Sequence, residues 1–147
     1  MKKKILVILY MTFLLTGCFK KESLTVEQVK EKINDLGYQV YDVDLGLHEN
    51  SEGILLIQDE KFNSEYIVLN SIENAEELFE SYVNSYQDYK GKSNRESKSK
   101  AKNYRTYKLI TADKYLYASR VEDTLLIIMG EKNAKDKIDE YIKLLGY

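Results

Sequence analysis

The sequence predicts an α+β domain built on an antiparallel sheet, and three observations carry the prediction. Helical periodicity recurs in three segments, apolar alternation marks two groups of three strands, and the helices punctuate those groups in the order α-βββ-α-βββ-α. Helices that alternate with meanders, and not with single strands, place the strands antiparallel and the helices mainly on one face of the sheet. The length of 147 residues fits a single domain, and a content of 44% hydrophobic and 31% charged residues is that of a globular chain. With one Cys, no Pro and no Trp against 13 Tyr, the composition excludes collagen-like, disulfide-rich and disordered classes.

The elements follow in order. Thr25 with Gln28 forms a capping box, and Val26, Val29, Ile33 and Leu36 recur at helical spacing, so the first helix is expected over Thr25–Leu36, with Gly37 ending it. Strands are expected at Gln39–Leu45, Ile54–Gln58 and Glu65–Asn70. The middle helix, Ala75–Lys90, is read as capped by Asn74 and gathers Leu78, Phe79, Tyr82, Val83, Tyr86 and Tyr89 on one broad face. Residues 91–103, rich in Ser and Lys with Glu96 as the lone acid, read as a basic flexible loop between the halves. Tyr104–Thr111, Lys114–Val121 and Thr124–Gly130 form the second meander, joined by the short links Ala112-Asp113 and Glu122-Asp123. The last helix, Ala134–Leu145, buries Ile138, Tyr141, Ile142 and Leu145 and stops at Gly146. Asn133-Ala134 repeats Asn74-Ala75 at the head of a helix, and Tyr141 repeats Tyr82 at the same offset. That pattern fits either an internal duplication or two independent uses of a good cap.

The N-terminus carries an address. Lys2, Lys3 and Lys4 precede an apolar run, Ile5 to Leu15, that is too short for an ordinary transmembrane helix and has the form of a signal-peptide core. It ends in Leu15-Thr16-Gly17-Cys18, and Cys18 is the only cysteine. This segment resembles the lipobox signal peptide of bacterial lipoproteins. The resemblance implies that residues 1–17 are removed, that Cys18 carries a diacylglyceryl group, and that residues 18–23 tether a single domain, 24–147, to the outer side of the cell membrane. Two acyl chains meet the minimum for stable anchoring, since each buried methylene contributes about 0.8 kcal/mol. The stretch from Phe19 to Ser23 reaches at most about 18 Å, which keeps the domain near the lipid surface with Lys20 and Lys21 close to headgroups. The lysines lost with residues 1–17 take the net charge from −2 to −5, and no basic footprint for nucleic acid remains.

Farther along, Leu24-Thr25 with Val29 and Ile33, the stop Leu36-Gly37-Tyr38, the segment Tyr117 to Leu125 and the terminal Leu-Gly-Tyr resemble a group of small lipoproteins of Gram-positive bacteria. No established activity comes with that resemblance, so it implies no catalytic residue. The residues themselves offer little chemistry. His48 is the single histidine, and no nucleophile-elbow motif accompanies it. Asp42, Asp44, His48, Glu49 and Glu52 are rich in oxygen, but their spacing matches no EF-hand loop, and they read as solvated polar residues. CxxC, HExxH, P-loop and GxGxxG motifs are absent, so neither a metal nor a cofactor is expected. Tyr104, Tyr107, Tyr115, Tyr117 and Arg120 form the candidate interaction face, on the premise that a sheet covered on one side leaves its other side open. The expected function is accordingly a non-enzymatic binding module with a protein or cell-envelope partner. The alternative is a small-ligand carrier or hydrolase with a pocket between sheet and helices.

Overall fold

The computed structural model describes residues 20–43 and 48–147. Its elements are α1 (Val26–Ile33), β1 (Gln39–Asp42), β2 (Ser51–Gln58), β3 (Phe62–Leu69), α2 (Ile72–Ser85), β4 (Arg95–Lys100), β5 (Tyr104–Ile110), β6 (Lys114–Val121), β7 (Thr124–Glu131) and α3 (Lys135–Leu145). The strands make one sheet in the order β1-β2-β3-β7-β6-β5-β4, with every neighbouring pair antiparallel. The two meanders thus meet along β3 and β7. The α+β class and the antiparallel sheet are as the sequence predicts.

Local chemistry explains the helix ends. Thr25 accepts from the Gln28 amide at 3.2 Å while Gln28 Oε1 accepts from the Thr25 amide at 2.8 Å, closing the capping box. Gly37 and Gly146 take left-handed φ values of 73° and 80°, which let the chain turn away after each helix. The middle helix corrects the cap expected at Asn74: Ser71 caps it, accepting from the Asn74 amide at 3.2 Å, and Asn74 lies within its first turn. Asn133 likewise sits inside a short 3₁₀ turn, Lys132–Ala134, ahead of α3. The shared Asn-Ala pair therefore marks no common cap.

Two of the three helices share a face, and the third covers the other. On one side, Val29 and Ile33 of α1 and Ile138, Tyr141 and Leu145 of α3 pack with Leu55, Ile57, Phe62, Tyr66, Leu126 and Ile128. On the opposite side, Ala75, Phe79, Val83 and Tyr86 pack over Ile67, Leu69, Leu109, Leu116, Ala118 and Leu125. Each buried apolar side chain of this kind contributes roughly 1.5–3 kcal/mol, so the two layers together hold the sheet.

The segment expected to be a basic flexible loop contains a strand instead. β4 pairs with β5 from Arg95↔Ile110 to Lys100↔Arg105, and all six of its residues are exposed. Its ladder is held by backbone hydrogen bonds and needs no apolar side chain, which is why neither alternation nor β-branching announced it.

Candidate functional site

The face expected to bind a partner is not one face. Successive strand residues point to opposite sides of the sheet, and α2 crosses to the side that the sequence reading left open. Tyr115 and Tyr117 are buried beneath the α1–α3 layer, and the Tyr115 hydroxyl donates to Asp139. Tyr104 is half-buried on that same side, with Lys21 Nζ 4.9 Å from its ring centre. Tyr107 lies on the other side under α2, where its hydroxyl accepts from Gln87 Nε2 at 3.0 Å. Arg120 is also buried, with its Nε 2.6 Å from Glu76 Oε2 of α2. Tyr107, Tyr115 and Tyr117 are therefore parts of two cores, and the five residues form no common face, although Tyr104 and Arg120 both border a recess at the end of the sheet.

An open surface does exist, displaced toward the other end of the sheet. One transverse row runs Tyr41, Leu56, Glu65, Ile127, Ala118, Tyr107 across β1, β2, β3, β7, β6 and β5. A parallel row runs Gln39, Gln58, Asn63, Met129. Helix α2 packs over β5, β6, β7 and the Ile67–Leu69 end of β3, where Ile54 of β2 is buried as well, while Tyr41 of β1 and Asn63 of β3 toward the other end stay exposed. Tyr41 is 47% exposed and Met129 37%, and Tyr89, on the 3₁₀ turn that ends the middle helix, is 43% exposed.

Where the helix edge meets the bare strands there is a cleft of about 520 Å³, lined by Glu65, Asn63, Tyr82, Asp88, Tyr89 and Met129 among others. Tyrosine and methionine supply broad apolar contact area, while the carboxylates, amide and hydroxyls around them supply directional hydrogen bonds. The volume falls in the range that holds small molecules or a side chain of a larger partner.

One wall of this region is a three-residue cluster. The Tyr82 hydroxyl donates to Glu65 Oε2 at 2.7 Å, and His48 Nε2 lies 3.3 Å from that same oxygen and 3.3 Å from the Tyr82 hydroxyl. A carboxylate only accepts, so the geometry assigns the His48 proton to Nε2. Burial, and after it the hydrogen bond and charge of Glu65, push the Tyr82 phenol well above its ordinary pKa, so it stays a neutral donor. The histidine thus ties the chain before β2 to β3 and α2. Glu65 and Tyr82 were not singled out for a site in the sequence reading. The signal was present in the phase of β3, since Glu65 falls on the same face as the buried Ile67 and Leu69.

Other sequence candidates are placed as follows. Cys18 and the lipobox residues Leu15, Thr16 and Gly17 lie outside the described residues, as does Asp44. Asp42 pairs with Lys30 at 2.6 Å. Among the described residues, no group of three His, Cys, Asp or Glu side chains is arranged to hold a metal ion. None of the described helices is long and apolar enough to cross a membrane.

No protein-family model matches the chain, and no curated protein matches it either. Among solved structures, it is similar to a GTP binding regulator from Thermotoga maritima, with 16% identity, a TM-score of 0.49, and coverage of 86% of this chain and 88% of that one.

Proposed function

We propose that this protein is a lipid-anchored, extracytoplasmic binding module that engages a cell-envelope component or protein partner through the cleft at the edge of α2 and the exposed β1 border of the same face. The anchor rests on the resemblance of Leu15-Thr16-Gly17-Cys18 to a lipobox. The binding reading rests on one observation: Tyr89 and Met129 are exposed on the walls of one cleft at the edge of the middle helix, and Tyr41 is exposed farther along the same face of the sheet.

The anchor has a direct test. Cys18→Ala is expected to abolish incorporation of labelled fatty acid and to remove the mature protein from the membrane fraction. Wild-type-like labelling of that variant would refute the anchor.

The binding surface is tested by placing a photoactivatable benzoylphenylalanine at Tyr89 or Met129 in intact membranes, with Lys132, on the β7–α3 connection, as control. A discrete adduct is expected from positions 89 and 129, absent at 132, and lost when Leu56→Arg is added. Identical patterns at all three positions would remove the proposal. The cleft volume favours a second reading, a carrier for a small ligand, and an adduct of a few hundred daltons would select it over a macromolecular partner.

A further inference from the structure

The chain that leads to the anchor is fastened to one end of the sheet. Asn103 Nδ2 donates to the Lys21 carbonyl at 2.6 Å, Lys20 Nζ sits 3.3 Å from Glu122 Oε1, and Ser23 donates to Glu122 Oε2 at 3.3 Å. The Leu24 backbone then exchanges hydrogen bonds with the Tyr66 hydroxyl, whose distances are 3.2 Å to its nitrogen and 2.5 Å to its oxygen. Only Phe19 separates Cys18 from Lys20, and two residue steps span at most about 7 Å. A lipid on Cys18 therefore cannot let the domain swing freely while these contacts hold. It fixes which end faces the bilayer.

That end has the chemistry of a headgroup contact. Ile72, in the first turn of α2, is 52% exposed. Together with Lys20, Ala101, Lys102 and Tyr104 it lines a recess of about 570 Å³ beside the docked tether. The β4–β5 turn brings Lys100 and Lys102 to the same end, and β4 continues away from it with Lys98 and Arg95 exposed. Glu96, the one acid in this stretch, is already held by Lys90 at 2.7 Å and Lys98 at 2.9 Å. Lys100 and Lys102 form no ion pair within the described chain and remain available to an external anion.

We infer that the end formed by Lys20, Ile72, Lys100 and Lys102 lies against the membrane, with Lys100 and Lys102 on the phosphates of anionic phospholipids and Ile72 among their glycerol backbones. The inference rests on the proposed anchor. It adds an orientation: the cleft by Tyr89 and Met129 sits toward the opposite end of α2 and points away from the lipid.

The test uses the acylated full chain in vesicles of phosphatidylglycerol and phosphatidylcholine in equal parts. Once Cys18 is acylated, an introduced cysteine is the sole thiol, so Ile72→Cys, Lys102→Cys and Glu60→Cys can each carry one fluorophore. Glu60 lies in the β2–β3 turn at the far end of the sheet. Spin-labelled lipids are expected to quench the fluorophore at 72 and 102 strongly and leave position 60 unquenched. Equal quenching at all three, or none at 72 and 102, overturns the inference. Lys100→Glu with Lys102→Glu is expected to lower quenching at 72 severalfold while flotation with the vesicles persists; unchanged quenching also overturns it.

Failure of the anchor is read separately, as wild-type chain that does not float with pure phosphatidylcholine vesicles. In that event, binding of the same chain to phosphatidylglycerol vesicles still decides the surface. The double charge reversal should weaken that binding by about tenfold or more at low salt, and equal binding of the two forms would overturn the inference.

Discussion

Glu76→Ala is expected to destabilise the fold by about 1–3 kcal/mol, the cost of leaving the buried Arg120 guanidinium without its carboxylate, below the full buried-pair range because Glu76 itself is 35% exposed. Glu76 projects from the first turns of α2 onto the sheet, where Oε2 lies 2.6 Å from Arg120 Nε and Oε1 meets Arg105 Nη1. The side chain of Arg120 is only 7% exposed, and its Nη1 donates to the Glu122 carbonyl at 2.8 Å. Truncating Glu76 leaves that guanidinium without a carboxylate in a layer otherwise made of Phe79, Leu125 and Ala118. Glu80 supplies the control, because among the described residues it pairs with Arg105 alone and is 44% exposed. Glu80→Ala should cost about 0–1 kcal/mol. Against a total stability of about 5–15 kcal/mol, the two variants should separate clearly in urea midpoint, and equal midpoints would contradict this assignment.

The same cluster sets an acid limb. Burial alone would raise the Glu76 carboxyl, but hydrogen bonds from Arg105 and the charges of Arg105 and Arg120 outweigh it and hold the group below its ordinary pKa. A carboxyl depressed in the folded state contributes stability that is fully present above its unfolded value of about 4.3 and is lost as pH falls through the folded value. Stability should therefore decline from about pH 5 downward. Urea melts at descending pH should show a shallower decline in Glu76→Ala than in the wild type.

The second large effect is expected at Gly130. This residue lies in β7 between Phe62 of β3 and Tyr115 of β6, with α3 packed above. A Cβ added there would stand 2.7 Å from Ile138 Cδ1, 2.7 Å from Phe62 Cβ and 3.2 Å from the Lys61 carbonyl oxygen. The Ile138 tip can rotate, whereas Phe62 Cβ is fixed to the backbone of the paired strand. Gly130→Ala is therefore expected to cost about 1–3 kcal/mol, even though alanine is ordinarily the better strand residue. Ile138→Val in the same background should recover part of the loss by relieving one contact of the two. A thermal midpoint of Gly130→Ala at or above the wild type would show that the strands separate without cost.

Much of this architecture was legible because period and punctuation agreed. Thr25 with Gln28, the glycines after α1 and α3, and the alternation in β5 to β7 each state a local rule that tertiary packing then obeys. Two things were hidden for physical reasons. β4 is held through its main chain, so its side chains carry no strand pattern. The side on which α2 lands depends on the crossing from β3, at the centre of the sheet, to β4, at its edge, and no residue of α2 encodes that crossing. The misplacement of the tyrosine face follows from the second. Once α2 occupies the opposite side, Tyr107 and Arg120 become core, and the open surface moves to β1 and the Asn63 end of β3.

The two borders of the sheet differ in a way that bears on self-association. β1 offers four residues to an incoming strand, too few for a lasting ladder. β4 offers six, but two copies approaching along it would crowd Arg95 and Lys100 of each against the other, Glu96 being already held by Lys90 and Lys98. Like charges thus terminate growth where backbone donors alone would invite a fibril. Because that repulsion is screened as ionic strength rises, concentrated brine is the condition under which the molecule is least guarded against polymerising.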